Sequence, residues 1–228
     1  MNIEQSLDLD RRVAVHAALA DPTRLRVVDL LSVGDAASSE LSVRLGTPSN
    51  LLAHHLKVLE GAGVVTRHRS EGDGRRSYWR LVPGTVVPAP GPSLARPGRV
   101  VFVCTANTAR SHLAAALWRR ASAIPVTSAG TRPATRVAAA ARATARRHHL
   151  DLPDVAPQHL SAIGTPTGGE DLLVTVCDLA HEELGTDAAL HWSVPDPVAA
   201  GTRAAFDLAH DELARRVEVL APLLARPS

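Results

Sequence analysis

One stretch narrows the possible folds more than any other: Arg99-Val-Val-Phe-Val-Cys-Thr-Ala-Asn-Thr-Ala-Arg-Ser111. The apolar run from Val100 to Val103 predicts a strand, the polar residues after it a tight loop, and the Ala-rich pattern from Ser111 to Ala121 a helix. A strand–loop–helix unit of this kind belongs to an α/β layer and aims a helix N-terminus at whatever the loop holds. Cys104 opens the loop and Arg110 closes it, a Cys-x5-Arg spacing followed by Ser111. A loop of this length can curl so that the backbone N–H groups of Thr105, Ala106, Asn107, Thr108, Ala109 and Arg110 form an anion nest. The planar fork of Arg110 matches a tetrahedral oxyanion. The same positive field favours a thiolate at Cys104, and Ser111 is spaced to donate a hydrogen bond to it. Asn107 tolerates a left-handed backbone cheaply. An ionised sulfur beside a bound oxyanion is a nucleophile set for in-line attack. The plainer alternative is a small cysteine buried at a strand end, and it gives Arg110 and Ser111 no part.

The rest of the second half alternates strand and helix. Strands are expected at 100–104, 125–128, 171–177 and 189–193, and helices at 111–122, 134–149 and 203–224. This order predicts an α/β domain with a four-stranded parallel sheet and a site at the carboxyl ends of its strands. Cys104, Cys177 and Asp196 all fall at or just after strand ends, so one site can gather them.

From Arg99 to about Leu224 the chain resembles the low-molecular-weight protein tyrosine phosphatase superfamily, which also contains arsenate reductases. Besides the loop, the matching residues are Ser128-Ala-Gly-Thr131, the strand from Leu172 to Cys177, and His191-Trp-Ser-Val-Pro-Asp-Pro197. The resemblance implies that Cys104 is the nucleophile and that Asp196 protonates the leaving group. Within the superfamily the details lean toward the reductases. Thr175-Val-Cys-Asp178 resembles the reductase strand that carries a resolving cysteine, and Thr108-Ala109 and His191-Trp192 look like reductases too. Val198-Ala-Ala follows Asp196-Pro197 where the tyrosine phosphatases place aromatics, and His112 stands where they have Pro. The third redox cysteine of thioredoxin-coupled reductases, expected near Leu184, is absent. Two routes stay open. A Cys104–Cys177 disulfide can be reduced by an external redoxin such as thioredoxin. Alternatively, a low-molecular-weight thiol such as mycothiol, with mycoredoxin, can attack the adduct while Cys177 is only a packed strand residue. No bound cofactor or metal is expected.

The first half reads differently. Two helices fill residues 5–33, the second opened by Asp21 as N-cap with Pro22 behind it and burying Leu25, Val28, Leu30 and Leu31. A third helix lies within Asp35–Leu45. A fourth, capped by Thr47 with Pro48 at its first position, runs from about Ser49 to Glu60. On it Leu52, Leu56 and Leu59 make a buried face, while Ser49, Asn50, Ala53, His54 and Lys57 make a small polar face suited to a major groove. Strands on either side of Glu71-Gly-Asp-Gly74 then predict a β-hairpin. Its Arg67, Arg69, Arg75, Arg76 and Arg80 are candidates for phosphate contacts. Between Arg44 and Arg80 seven basic residues face three acidic ones, a local excess of four positive charges in a chain whose net charge is only +2. Helix-turn-helix followed by a basic hairpin predicts a mostly α winged helix-turn-helix.

Residues 10–83 resemble the ArsR/SmtB winged-helix repressors through Ala20-Asp-Pro-Thr-Arg-Leu-Arg26, His54-His-Leu-Lys-Val-Leu59, Ala62-Gly-Val64 and Tyr78-Trp-Arg-Leu81. The resemblance implies operator DNA as a partner and homodimerisation. Two departures stand out. The region Ser38–Arg44 lacks the Cys-x-Cys pair of arsenite-sensing members, and no final helix follows Pro83-Gly84. His16, His54, His55 and His68 have no metal-ligand spacing and read as DNA-facing or packed.

The domain plan is therefore 1–83 winged helix, 84–98 Pro-rich linker and 99–228 α/β domain. At 228 residues and 45% hydrophobic, the chain can bury two cores, and with 3% aromatic residues those cores are aliphatic. Two cysteines make no disulfide framework, and no apolar run reaches a membrane span, so a cytoplasmic location is expected. The combined expectation is an arsenic-resistance regulator joined to a thiol-dependent arsenate reductase. The alternatives are a tyrosine phosphatase tethered to DNA and a non-catalytic oxyanion-sensing repressor.

Overall fold

The computed structural model describes residues 3–86, 96–164 and 170–225. Pro88, Pro90 and Pro92 of the expected linker lie outside the described residues. Two compact units divide the chain: Met1–Arg69 with Arg75–Pro92, and Ser93–Ser228 with Ser70–Gly74.

In the first unit α1 (Ile3–Leu19), α2 (Pro22–Val33), β1 (Ala36–Ala37), α3 (Ser38–Leu45), α4 (Ser49–Gly61), β2 (Val65–Arg69) and β3 (Ser77–Leu81) follow in order. Asp21 caps α2 as expected, its carboxylate accepting from the Arg24 N–H at 2.9 Å. The buried stripe of α2 follows expectation at Val28 and Leu31, with Leu30 partly buried against the same core, but not at Leu25. Val27, Val28, Leu31 and Val33 are inside, whereas Leu25 is exposed because it falls on the opposite side of the 3.6-residue period. The third helix starts late, since Ala36 and Ala37 first pair with Trp79 and Tyr78 as an edge strand. It ends at Gly46, whose φ of 61° suits a residue without a Cβ. Pro48, not Thr47, is the N-cap of α4, because the Thr47 hydroxyl turns back to the Leu45 carbonyl. The hairpin β2–β3 pairs antiparallel from Val65↔Leu81 to Arg69↔Ser77. Leu52, Leu56 and Leu59 of α4 pack with Val27, Leu31, Leu41 and Trp79 in one core.

The second unit runs β4 (Arg99–Cys104), α5 (Arg110–Ala121), β5 (Val126–Gly130), α6 (Ala139–Arg147), β6 (Asp171–Thr175), α7 (Asp178–Leu184), β7 (Leu190–His191), α8 (Pro197–Ala200) and α9 (Arg203–Ala225). Its sheet has four parallel strands in the order β5-β4-β6-β7, as the alternation predicted. Arg99 grips Asp171 through two hydrogen bonds of 2.7 and 2.8 Å where β4 and β6 begin together. This pairing holds the guanidinium pKa above its ordinary value. Phe102, central in β4, meets Trp118 of α5 and Trp192 at ring-centroid distances of 6.0 and 5.4 Å. Three of the chain's six aromatic residues therefore cluster on the strand that leads into the loop.

Several boundaries differ from expectation. β6 stops at Thr175 and β7 spans two residues, and the short helices α7 and α8 were not anticipated. The helix expected from 134 starts only at Ala139, because the N–H groups of Ala134 and Ala138 are engaged by carbonyls of the 104–110 loop. Among the described residues no helix is long and apolar enough to cross a membrane.

Candidate functional site

The 104–110 loop is held from behind. Backbone N–H groups of Thr131, Arg132, Ala134 and Ala138 donate to the carbonyls of Cys104, Thr105, Ala106 and Thr108 at 2.9–3.2 Å. A trans peptide sends its N–H opposite to its C=O. With these four carbonyls committed to the 131–138 segment, the N–H groups of Thr105, Ala106, Asn107 and Ala109 are directed to the other side. That is the arrangement an anion nest requires. β5 must pass close for this to happen: a Cβ on Gly130 would lie 2.6 Å from the Thr105 carbonyl oxygen, so only glycine fits there.

Asn107 is the hub of the loop. It is fully buried with φ 50°, the left-handed backbone its side chain tolerates. Its amide donates to Ser111 Oγ at 2.8 Å and Ser128 Oγ at 3.1 Å, and its Oδ1 accepts from the Gln158 N–H at 3.0 Å. Ser111 Oγ stands 3.1 Å from Cys104 Sγ, and its hydroxyl proton, not used toward Asn107, is available to the sulfur. The contact expected between Ser111 and Cys104 is present, and the Asn107 amide fixes the hydroxyl oxygen that makes it. Gln158 was missed at sequence level, and no local pattern marks it. The one available signal was that a buried Asn needs several partners.

Arg110 starts α5. Its Nη1 donates to the Val194 carbonyl at 2.8 Å and its Nη2 stands 3.3 Å from Asp196 Oδ2. Asp196 in turn caps α8 by accepting from the Val198 N–H at 3.0 Å. The structure thus brings Asp196 to the same cleft as Cys104, Arg110 and Cys177. The described cleft wall of Leu179, Val198, Ala199 and Ala200 is aliphatic. Cys177 is buried, and its Sγ accepts from the Thr105 N–H at 3.2 Å and lies 3.4 Å from Thr105 Oγ1. Burial first, and the nearby Cys104 second, raise the Cys177 pKa above its ordinary value, and the positive charge of Arg110, then the thiol hydrogen bonds, offset this only in part. His112, behind the loop, is pushed down to about 4 by burial, and its Nε2 is enclosed without a partner.

In the first unit Ser49, Asn50, Ala53, His54 and Lys57 all lie exposed along one face of α4, and Arg67, Arg69, Arg75 and Arg76 are exposed on the hairpin. Arg80 is not among them. Its Nη2 pairs with the buried Asp35 at 3.3 Å, so it is tied into the fold rather than offered to a phosphate. His54 is exposed, while His55 is buried with Nδ1 3.7 Å from Asp21. Elsewhere His148, His210 and Asp211 bring three ligand atoms within 4.8 Å of one another. The two imidazoles stack face to face at 3.6 Å. Ring-plane lone pairs in stacked rings do not converge, which argues against a shared ion.

Known proteins were compared with both units. Residues 19–68 match a helix-turn-helix domain. The chain is 34% identical over 67 residues to the transcriptional repressor SdpR of Bacillus subtilis, covering 29% of this chain and 71% of that protein. It is 40% identical over 73 residues to the transcriptional repressor SmtB of Mycobacterium tuberculosis, covering 32% of this chain and about half, 52%, of that one. An arsenate reductase crystal structure from Archaeoglobus fulgidus is 27% identical, with a TM-score of 0.46, covering 54% of this chain and 98% of the other. The longest match, residues 99–227, is to the low molecular weight phosphotyrosine protein phosphatases, and through this more-than-half of its length the chain belongs to that family.

Proposed function

We propose that this protein is an arsenic-responsive DNA-binding regulator fused to a thiol-dependent arsenate reductase, with residues 1–83 as the DNA-binding domain, 84–98 as linker and 99–228 as the reductase. The observation that carries the catalytic half is the pair of thiols at one cleft, with Thr105 directly after Cys104 and bonded to Cys177 Sγ. A phosphatase has no use for a second thiol there, and among the described lining residues an aryl ester finds no aromatic side chain.

The chemistry follows from the positions. Arsenate takes the nest made by Thr105, Ala106, Asn107, Thr108, Ala109 and Arg110, displacing Asp196 from its ion pair with Arg110. Cys104 Sγ attacks arsenic in line, an S–As bond forms, and an arsenic-bound oxygen leaves as water with a proton from Asp196. Cys177 then loses its proton and attacks Cys104 Sγ. The S–S bond forms, the S–As bond breaks, and its electron pair stays on arsenic. Arsenate is reduced by two electrons to arsenite, and two thiols are oxidised to one disulfide. An external dithiol redoxin restores both thiols by exchange. On this reading Cys177 must be deprotonated against its raised pKa, so the second step quickens as pH rises.

The DNA half rests on the exposed face of α4 and the exposed hairpin arginines, with a duplex operator as partner and a homodimer as the binding form. A second reading, hydrolysis of a phosphate ester, is favoured by the family match itself. Single-turnover arsenate consumption by the reduced protein decides between them. Stoichiometric arsenite with loss of two thiols per chain is expected. Rapid aryl phosphate hydrolysis with no arsenite from thioredoxin or from mycothiol and mycoredoxin would overturn the reductase.

A further inference from the structure

At the cleft, where Asp178 joins its lining, begins a buried polar chain with no part in the chemistry above. Thr175 ends β6, Asp178 and His181 belong to α7, and His191 is in β7. All four are buried, at 4% exposure or less. His191 Nε2 is 3.1 Å from Asp178 Oδ1, His191 Nδ1 is 3.0 Å from Thr175 Oγ1, and His181 Nδ1 is 3.2 Å from the same hydroxyl. The two imidazoles stack at 4.1 Å with only 9° between their planes.

The carboxylate at one end orients this chain. Burial alone would raise the Asp178 pKa, but hydrogen bonds from His191 and Ser193 hold it down to about 2, so it is a carboxylate that only accepts. His191 Nε2–H therefore donates to Asp178. The Thr175 hydroxyl lies between His191 Nδ1 and His181 Nδ1 and reaches the Leu190 carbonyl, to which it donates at 3.3 Å, so one oxygen joins both imidazoles and the β7 backbone. A buried carboxylate with a directed chain behind it costs more to assemble than an apolar core of the same volume. Its location suggests what that cost secures. Thr175 and Asp178 bracket Val176 and Cys177, and the Val176 N–H is already held by the Val103 carbonyl at 2.7 Å. The backbone on both sides of Cys177 is thus anchored to one rigid unit.

We propose that Thr175, Asp178, His181 and His191 form a positioning device for Cys177, holding its sulfur on the line of attack toward Cys104. The device rests on the reductase reading, because only a reductase needs that line. It sets the rate of disulfide closure and leaves oxyanion capture by Cys104 alone. Thr175 is the keystone, since one hydroxyl joins both histidines.

The test uses the full chain with Thr175→Val, Thr175→Ser and, should Thr175→Val fail to fold, His191→Phe, which keeps a ring against His181 and removes both nitrogens. Cys104–Cys177 disulfide formation is followed by mass mapping in two ways: after one equivalent of arsenate, and after diamide, which oxidises the two thiols directly. The rate of Cys104 alkylation and its protection by phosphate report the first step. Thr175→Val or His191→Phe is expected to slow closure by about tenfold or more in both assays, with Cys104 alkylation and phosphate protection within twofold, and Thr175→Ser to restore closure. Closure at parental rates in Thr175→Val or in His191→Phe overturns the device. So does equal slowing of Cys104 alkylation, because the chain would then support the whole site. If the parent closes with diamide but not with arsenate, the reductase reading fails. Slow diamide closure in the variants would still establish the positioning role.

Discussion

The exposed face of α4 and the 104–110 loop both carry candidate functional residues, and they are built in opposite ways. Ser49, Asn50, His54 and Lys57 stand in solvent on a helix that packs through its other side. In the loop, Asn107 and Ser111 are wholly buried, and backbone, side chains and a passing strand hold each position. A surface that meets DNA can adjust on contact, whereas a site that stabilises charge in a transition state must be set beforehand. Substitutions in the loop should therefore cost chemistry and stability together. Substitutions on α4 should cost only binding.

The largest effect belongs to the nucleophile. Cys104→Ser is expected to lower single-turnover arsenate reduction by at least about a thousandfold, measured as arsenite formed per chain. Retained turnover would remove the loop from the chemistry. Next comes the hub. Asn107→Ala deletes three buried hydrogen bonds and places Ala at φ 50°. A loss of about tenfold to a hundredfold in kcat/KM is expected, together with about 1–3 kcal/mol in urea unfolding. A catalytic loss with no change in stability would mean the loop is less preset than its hydrogen bonds imply.

The two regions also differed in how far sequence could reach. Cys104, Asn107, Arg110 and Ser111 lie within eight residues, so spacing alone exposed the loop. The face of α4 was legible for the same reason, one helical period read over nine residues. What escaped was long-range. Residues 134–138, part of the segment that backs the loop, were read as the start of a helix, because alanines favour helix and nothing local reports that their N–H groups serve another segment. Gln158 reaches Asn107 across 51 positions. Asp178 and His191 were quoted as motif members, but their contact depends on β6 and β7 being neighbours. Leu25 was misplaced for a simpler reason: the apolar residues of α2 spread around the helix, and Leu25 falls off the side that Val28, Leu30 and Leu31 turn to the core.

A smaller effect concerns the ground behind the loop. His112 titrates at about 4 in the fold against 6.5 for an ordinary histidine, chiefly because it is buried. Its lowered value means that the unfolded chain takes up a proton first as pH falls. The stability it contributes is intact above about 6.5 and is lost progressively toward 4. Between pH 7 and pH 5 this amounts to at most about 2 kcal/mol. Protonation would also place a charge at an Nε2 that has no partner. Urea unfolding at the two pH values should show His112→Asn losing less than the parent over this interval. An identical loss in both would assign the pH dependence to other groups.

The smallest effects come from the basic residues of the first unit, and they separate three side chains that look alike in sequence. Lys57 is exposed on α4, so Lys57→Ala should leave stability within about 0.5 kcal/mol and reduce the salt dependence of duplex binding by about one released counterion per site. Arg67 is also exposed, but its guanidinium lies 5.7 Å from the centre of the Trp79 ring. Arg67→Ala should show the same loss in salt slope with a further cost of about 0.5–1 kcal/mol in stability. Arg80 is the converse. Its pairing with the buried Asp35 means that Arg80→Ala removes the cationic partner of a buried carboxylate, lowering stability more than Arg67→Ala does while leaving the salt slope of the folded protein unchanged. Salt titrations of DNA binding beside urea unfolding rank the three. If Arg80→Ala changed the salt slope and Lys57→Ala did not, the DNA-facing side would have to be moved from α4 to the far edge of the hairpin.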